Sequence, residues 1–324
     1  MNVLVTGGAG YIGSHACKAL KASGFTPVTA DNLVYGHKEA VQWGPFEQGD
    51  ILDGAWLDKV FAQYQPVAVM HFAAFAYVGE SMSDPGKYYQ NNVMGTVSLL
   101  EAMRRNLVDK MIFSSSCATY GNVVDLPITE ETAQRPINTY GYTKLICEHL
   151  LADYERAYGL KWTAMRYFNA AGADLHGDIG ESHSPETHLI PLAILAALGK
   201  GAKLNVFGTD YDTPDGTALR DYIHVADLAD AHVKALKYLQ KGGSSGAFNL
   251  GSGKPTSVLE LVAAVSAAVG SPVPFDSAPR RDGDPRALYA SSDKAQKSLG
   301  WQPSQSDIHD IVQMAVKWHL TATY

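Results

Sequence analysis

Eight residues near the amino terminus, Thr6-Gly7-Gly8-Ala9-Gly10-Tyr11-Ile12-Gly13, restrict the fold of this 324-residue chain more than any other stretch. They follow a short apolar run, Asn2–Thr6, and lead into a segment of helical character. Glycines at 7, 10 and 13 let the backbone come against a pyrophosphate and seat it on the N-terminus of the following helix. Asp31 stands 18 residues beyond Gly13, at the end of a second strand-like run. A carboxylate there accepts from a ribose 2′-hydroxyl and repels a 2′-phosphate, so the two features together predict NAD in preference to NADP.

Strand-like runs alternate with helical ones through the first half: Asn2–Thr6, Pro27–Ala30, Phe46–Gln48, Val67–Phe72, Met111–Ser114 and Trp162–Tyr167. This alternation predicts an α/β fold with a Rossmann-type doubly wound parallel sheet, buried on both faces. After Asn169 it breaks. Gly177–Pro191 reads as a long loop, followed by a helix near Leu189–Leu198, a strand near Leu204–Phe207 and a turn-rich loop at Gly208–Thr217. Ala247–Leu250 reads as a strand returning to the main sheet, and residues 256–269 as an amphipathic helix stopped by Gly270 and Pro272. The division expected is an NAD-binding domain over 1–170, with a segment near 222–252 returning to it, and a smaller α/β substrate-binding domain over 171–324.

At 46% hydrophobic residues the chain can bury a full core. Its net charge of −7 argues against nucleic acid or an acidic membrane surface as partner. No apolar run reaches transmembrane length. Cys17, Cys117 and Cys147 are odd in number and lack metal-ligand spacing, which points to reduced thiols in the cytoplasm.

Tyr140-Gly141-Tyr142-Thr143-Lys144 opens a second helix, with Asn138 or Thr139 as its cap and apolar residues at Leu145, Ile146, Leu150 and Leu151. Tyr140 and Lys144 are four apart and share one helix face. A tyrosine titrates near 10, so a phenolate at pH ~6 to 7 requires stabilisation of roughly 5.4 kcal/mol. One cation at about 5 Å supplies roughly 3.3 kcal/mol. A second positive charge is needed, and an oxidised nicotinamide would provide it.

Other residues have weaker signals. Asp50, with Ile51 at the end of the third run, either reaches an adenine amino group or caps the next helix. His71 reads as a hydrogen-bonded core histidine. Asn91 and Asn92 lie inside a helix, where a polar task facing a site would account for them. Ser114-Ser115-Ser116 ends the fifth run at the carboxyl edge, where ligands bind in such sheets, and one hydroxyl there can donate to the oxygen that Tyr140 deprotonates. His183, Glu186 and His188 have a spacing that fits no common metal site, and none is expected. Arg220 and the loop Arg280-Arg281-Asp282-Gly283-Asp284 offer guanidinium donors for a diphosphate.

Taken together, the glycine turn, the serines at 114–116 and the Tyr140/Lys144 pair resemble the extended short-chain dehydrogenase/reductase family, and within it the sugar-nucleotide 4-epimerases. The similarity runs in order through Val5–Gly13, Asp31–Leu33, His71–Ala73, Val78–Ser81, Tyr88–Gly95, Phe113–Gly121, Arg166–Asn169, Phe207–Asp210, Arg220–His224 and Arg280–Asp284. It implies that Tyr140, Lys144 and Ser116 are catalytic. Cofactor contacts are implied from Gly7, Gly10, Tyr11, Ile12, Gly13, Asp31, Asn32, Asp50, Ile51, Phe72, Ala73, Ala74, Asn91, Ser114, Tyr140, Lys144 and Tyr167. Substrate contacts are implied from Ser116, Tyr140, Asn169, His188, Leu189, Phe207, Arg220, Tyr222, Arg281 and Asp284. The reaction implied is NAD-dependent inversion at C4 of a UDP-hexose, with a UDP-pentose or UDP-N-acetylhexosamine as alternatives, in a homodimer paired through helices near 88–106 and 140–157. The pattern departs from the family at Ala76, where a lysine often contacts the cofactor phosphates, and at Leu288, where a bulky tyrosine can narrow the sugar pocket. Dehydration is disfavoured because Cys117-Ala118 follows Ser116, where 4,6-dehydratases carry Asp-Glu. A catalytically silent NAD sensor typically lacks the Tyr/Lys pair that this chain keeps.

Overall fold

The computed structural model of the chain describes residues 1–281, 284–322 and 324. In chain order its strands are β1 (Asn2–Thr6), β2 (Thr26–Asp31), β3 (Phe46–Gln48), β4 (Val69–His71), β5 (Lys110–Ser116), β6 (Lys161–Tyr167), β7 (Asn169–Ala171), β8 (Leu204–Phe207), β9 (Leu219–His224), β10 (Gly246–Leu250), β11 (Pro255–Ser257), β12 (Phe275–Ala278) and β13 (Ala287–Leu288). Among the described residues, seven of these form one sheet in the order β10-β6-β5-β4-β1-β2-β3, with every neighbouring pair parallel.

The sheet carries a core on each face because alternate side chains of a strand point to opposite sides. Val3 and Val5 join one cluster with Met70, Leu228 and Phe248, while Leu4, between them, joins the other with Val69, Met111 and Phe113. The residues after Asn169 build smaller pieces. β9 pairs with β7, β11 and β13, and β8 pairs with β12. Helices Leu189–Ala197, Val258–Val269 and Ile308–Thr321 contribute to a third apolar cluster. The helix expected over 256–269 begins two residues later, because Thr256 and Ser257 belong to β11 and Ser257 closes a capping box with Glu260.

The helix Thr139–Tyr158 places the candidate site. Asn138 caps it, its Oδ1 accepting from the Gly141 amide at 2.8 Å. A Cβ on Gly141 would stand 2.4 Å from the Ala118 carbonyl oxygen, so only glycine lets this helix close on the turn after β5. Of the four apolar positions expected to bury the helix, only Leu151 is buried, and Leu145, Ile146 and Leu150 remain half-covered. Among the described residues, no helix is long and apolar enough to cross a membrane.

Candidate active site

Parallel strands end on a common edge, and the chemistry-bearing residues converge there. β5 delivers Ser114 and Ser116, β6 delivers Tyr167, and the first turn of helix Thr139–Tyr158 brings Tyr140 and Lys144 against them. Lys144 Nζ donates to the Ser114 carbonyl oxygen at 2.7 Å and stands 5.8 Å from the centre of the Tyr140 ring. The Tyr167 hydroxyl and Ser114 Oγ share a short hydrogen bond. Ser116 Oγ accepts from the Ala118 amide at 3.1 Å, which leaves its O–H to donate to the Tyr140 phenol oxygen.

The protonation states follow from burial. Burial pushes the Tyr140 phenol up to about 12, with the Ser116 hydroxyl pulling the other way. Burial also lowers the Lys144 ammonium to about 8. Without a cofactor the phenol is therefore protonated at neutral pH, and the lysine alone does not ionise it. The partial lowering expected from the lysine was reckoned before desolvation; in the structure burial dominates and the phenol moves up instead.

The glycine turn is a bare backbone cradle. A Cβ on Gly7 would stand 2.5 Å from the Ala73 amide nitrogen and one on Gly13 2.1 Å from the Gly7 oxygen, so neither position admits a side chain. Gly10 is the N-cap of helix Tyr11–Ala22 and supplies no side-chain oxygen, leaving the first-turn amides available to an anion. Asp31 ends β2, with its oxygens accepting from the Ala9 and Leu33 amides at 3.0 and 2.8 Å. Those bonds occupy two of about four acceptor sites on a carboxylate, so a ribose hydroxyl still has one to use. Asn32 donates to Asp50 at 3.1 Å, and Asp50 turns its other oxygen to the Leu52 amide. The helix cap expected of Asp50 belongs to Asp53 instead. Ile51 is buried, and Phe72, Ala73 and Ala74 lie half-buried beyond β4. The Tyr11 hydroxyl reaches the Gly172 carbonyl oxygen at 2.7 Å, tying the turn to the later half of the chain, and Ile12 packs toward the core. These features fit a dinucleotide.

Of the two asparagines in the helical stretch 89–94, Asn92 has a structural task. It exchanges hydrogen bonds with the Phe75 backbone and donates to Thr143 Oγ1, while Asn91 donates to Asn92. His71 is a core histidine between Thr6 and Thr96, lowered to about 3 mainly by burial.

Beyond β6, Asn169 donates to the Asp221 carbonyl oxygen at 2.9 Å, and β7 sets it opposite the buried Tyr222. Arg220 pairs with Asp284 and also donates to the Pro285 carbonyl oxygen at 3.0 Å. The Arg281 guanidinium lies 3.9 Å from the centre of the Phe207 ring. Asp282 and Gly283, in the same expected loop, lie outside the described residues. His188 and Leu189 stand at the start of helix Leu189–Ala197. Ala76 is exposed, and Leu288 is half-buried in register with Arg220.

Two groups escaped sequence reasoning. Glu148 lies four residues beyond Lys144 on the same helix face and is buried against Arg166, whose Nε donates to it at 2.9 Å. Arg166 also donates to the Tyr120 hydroxyl at 2.8 Å, and Tyr120 to Asn249 at 2.7 Å, so one buried network braces β5, β6 and β10 under the site. A lone arginine in an apolar strand was the available signal. The second is the gathering of Glu181 with His183, Glu186 and His188 from one loop; the sequence offers the last three as metal ligands that their spacing argues against, and gives no sign of Glu181.

Comparison with known proteins places this geometry. A family model described as the NAD dependent epimerase/dehydratase family matches residues 3–251. The chain belongs to that family. It is similar to a UDP-glucose 4-epimerase of Rhizobium leguminosarum bv. trifolii, 53% identical over 98% of this chain and 97% of that protein. It also matches the crystal structure of UDP-glucose 4-epimerase from Brucella ovis in complex with NAD, at 56% identity and a TM-score of 0.96, covering 98% of this chain and 97% of that one. The UDP-Glc/GlcNAc 4-epimerase of Campylobacter jejuni is 39% identical with a TM-score of 0.87, covering 98% of this chain and 99% of that one.

Proposed function

We infer that this chain is an NAD-dependent 4-epimerase that interconverts UDP-galactose and UDP-glucose through a transient 4-keto sugar. The observation that carries the reading is the convergence of Tyr140, Lys144 and Ser116 at the end of β5, on the same sheet edge as the glycine cradle that follows β1. Tyr140 takes the proton of the sugar 4-hydroxyl, and Ser116 donates a hydrogen bond to the same oxygen. Lys144, held by the Ser114 carbonyl oxygen, lends part of the charge that keeps the phenol ionised. NAD held at the cradle would supply reversible hydride chemistry at C4 and, when oxidised, a positive charge to help ionise the phenol. Arg220 and Arg281 hold the diphosphate while the keto sugar turns over.

The gatherings around Gly7–Gly13, Asp31 and Tyr167 support cofactor contacts there, and Asn169, His188, Leu189, Phe207, Tyr222 and Asp284 are proposed sugar-nucleotide contacts. On this reading residues 1–170, with 222–252 returned to them, hold NAD, and the remainder of 171–324 holds the UDP-sugar. The molecule works as a cytoplasmic homodimer. A dehydratase is disfavoured on physical grounds. Eliminating water needs an acid and a base next to the active hydroxyl, and Ser116 is followed by a thiol that burial pushes up to about 12 and then by a methyl group.

The test is product analysis with UDP-glucose, its N-acetylated analogue and UDP-xylose side by side, with no added cofactor. Turnover of UDP-galactose and UDP-glucose at comparable rates is expected. Leu288, beside Arg220, leaves room that favours some turnover of the N-acetylated sugar as well. Conversion of UDP-xylose alone would move the assignment to a pentose epimerase, and binding without any conversion would make the chain a sensor.

A further inference from the structure

The loop between β7 and helix Leu189–Ala197 carries a cluster of which only His188 is given a part in the proposed epimerase, as a sugar-nucleotide contact, and none takes part in the proton or hydride steps. Glu181, His183, Glu186 and His188 each offer one ligand atom, and the four lie within 4.8 Å of one another. His188 Nδ1 stands 2.9 Å from Glu181 Oε1 and 3.0 Å from Glu186 Oε1, while His183 Nδ1 stands 3.4 and 3.6 Å from the same two carboxylates. A tetrahedral zinc with bonds of about 2.0–2.1 Å to nitrogen and oxygen keeps its ligand atoms about 3.3–3.4 Å apart. The four observed separations bracket that spacing.

Two further observations point into the cluster. His183 Nδ1 is buried and, among the described residues, has no hydrogen-bond partner, although it faces both carboxylates. Its neighbours on the other side are the rings of Tyr11 and Tyr77, with centroids 6.4 and 6.2 Å away, which offer it no charge. Beside the group lies a cavity of about 180 Å³ whose lining includes Glu181, His183, Glu186 and His319. Two carboxylates in one cluster need two positive charges to balance them. Without a metal the two imidazoles supply these, held protonated, against burial, by the carboxylates of Glu181 and Glu186. One dication with two neutral imidazoles supplies the same charge.

We propose that Glu181, His183, Glu186 and His188 bind a divalent transition-metal cation of the zinc class in a structural site. Imidazole and carboxylate donors suit such an ion, and four protein ligands close the coordination sphere, as structural sites require. The ion would pin the loop at a junction. The Glu181 carbonyl oxygen accepts from Trp318 Nε1 of the C-terminal helix at 2.8 Å, and the neighbouring Ser182 carbonyl oxygen contacts His37 Nε2 at 3.1 Å. His188 is the N-cap of helix Leu189–Ala197. Metal binding therefore fastens the substrate loop to the cofactor half without taking part in the reaction. Sequence spacing hides the site because its ligands fall at 181, 183, 186 and 188, a pattern that belongs to no regular helix or strand face.

The test uses the full chain with NAD bound, freed of metal by a chelator and titrated with Zn²⁺ in a calorimeter. One Zn²⁺ per chain is expected, with a rise in Tm of about 3–5 °C at a hundredfold excess over Kd. His183→Ala with Glu186→Gln should weaken binding at least about 100-fold. If that variant does not fold, wild-type crystals exposed to Zn²⁺ decide the matter by anomalous scattering, with a peak expected among the four residues. The absence of a bound ion, equal binding by the folded variant, or a peak only at other histidines (an adventitious ion only) would each overturn the proposal.

Discussion

At the scale of single residues, the phenol of Tyr140 decides the chemistry. Burial holds it near 12 in the cofactor-free chain, whereas a base working near neutral pH must lose its proton some four to five pH units lower. The sign is fixed by which form the site desolvates. Burial penalises the phenolate and raises the pKa, and a positive nicotinamide stabilises the phenolate and lowers it. Tyrosinate absorbance, taken as the difference between the wild-type chain and Tyr140→Phe, should thus be absent below pH ~10 in the NAD-free protein. In the NAD-loaded protein it should emerge below pH ~8. The same variant should retain NAD and lose at least about 100-fold in kcat, the lower range for removal of a general base. Substantial residual turnover, or a difference spectrum indifferent to NAD, would remove the phenol from its assigned role.

At the scale of elements, the buried pair of Glu148 and Arg166 joins helix Thr139–Tyr158 to β6 directly beneath the reacting residues. Ser115 Oγ adds a hydrogen bond to the same carboxylate. Glu148→Gln keeps the volume and removes the charge, leaving a guanidinium buried and uncompensated at a cost of about 3–5 kcal/mol. Urea denaturation should report that loss. A cost below about 1 kcal/mol would show that water or Tyr120 compensates the arginine. This pair also marks where sequence reading stops. Local signals were legible: β1, β3 and β8 fall where their apolar runs predict, and Asn138 caps its helix. The glycine turn was legible because backbone sterics alone demand it. Glu148 with Arg166, Asn92 with Thr143 and Glu181 with the two histidines were not, because each depends on which faces meet after the sheet has formed. Nothing periodic in one segment encodes that meeting. Arg220 illustrates the same limit: its charge was evident, and its pairing with Asp284 across 64 residues was not.

At the scale of the whole molecule, the incompletely covered helices argue for a second copy of this chain. Tyr142, Leu145, Ile146, His149 and Leu150 follow i, i+3, i+4, i+7 and i+8 spacing along one stripe of helix Thr139–Tyr158. Tyr142 is 47% exposed, and on the adjoining stretch Met94 and Tyr89 are 50% and 41% exposed. Apolar residues at this spacing normally face a core, and here part of the stripe faces outward. Pairing two such helices about a two-fold axis covers the stripe with itself, since a closed dimer uses the same patch twice. A stable pairing of this kind buries about 1,600 Å² or more, which a 20-residue helix and its neighbour can supply. Replacing Tyr142 and Met94 together by glutamate leaves the monomer fold intact, because both side chains already meet solvent. In the dimer it sets four carboxylates, two from each copy, in an apolar contact with no counter-charge. Light scattering at micromolar concentration should then report one chain where the wild type reports two. A wild-type mass of one chain, or an unchanged dimer in the doubly substituted protein, would place the interface elsewhere or remove it.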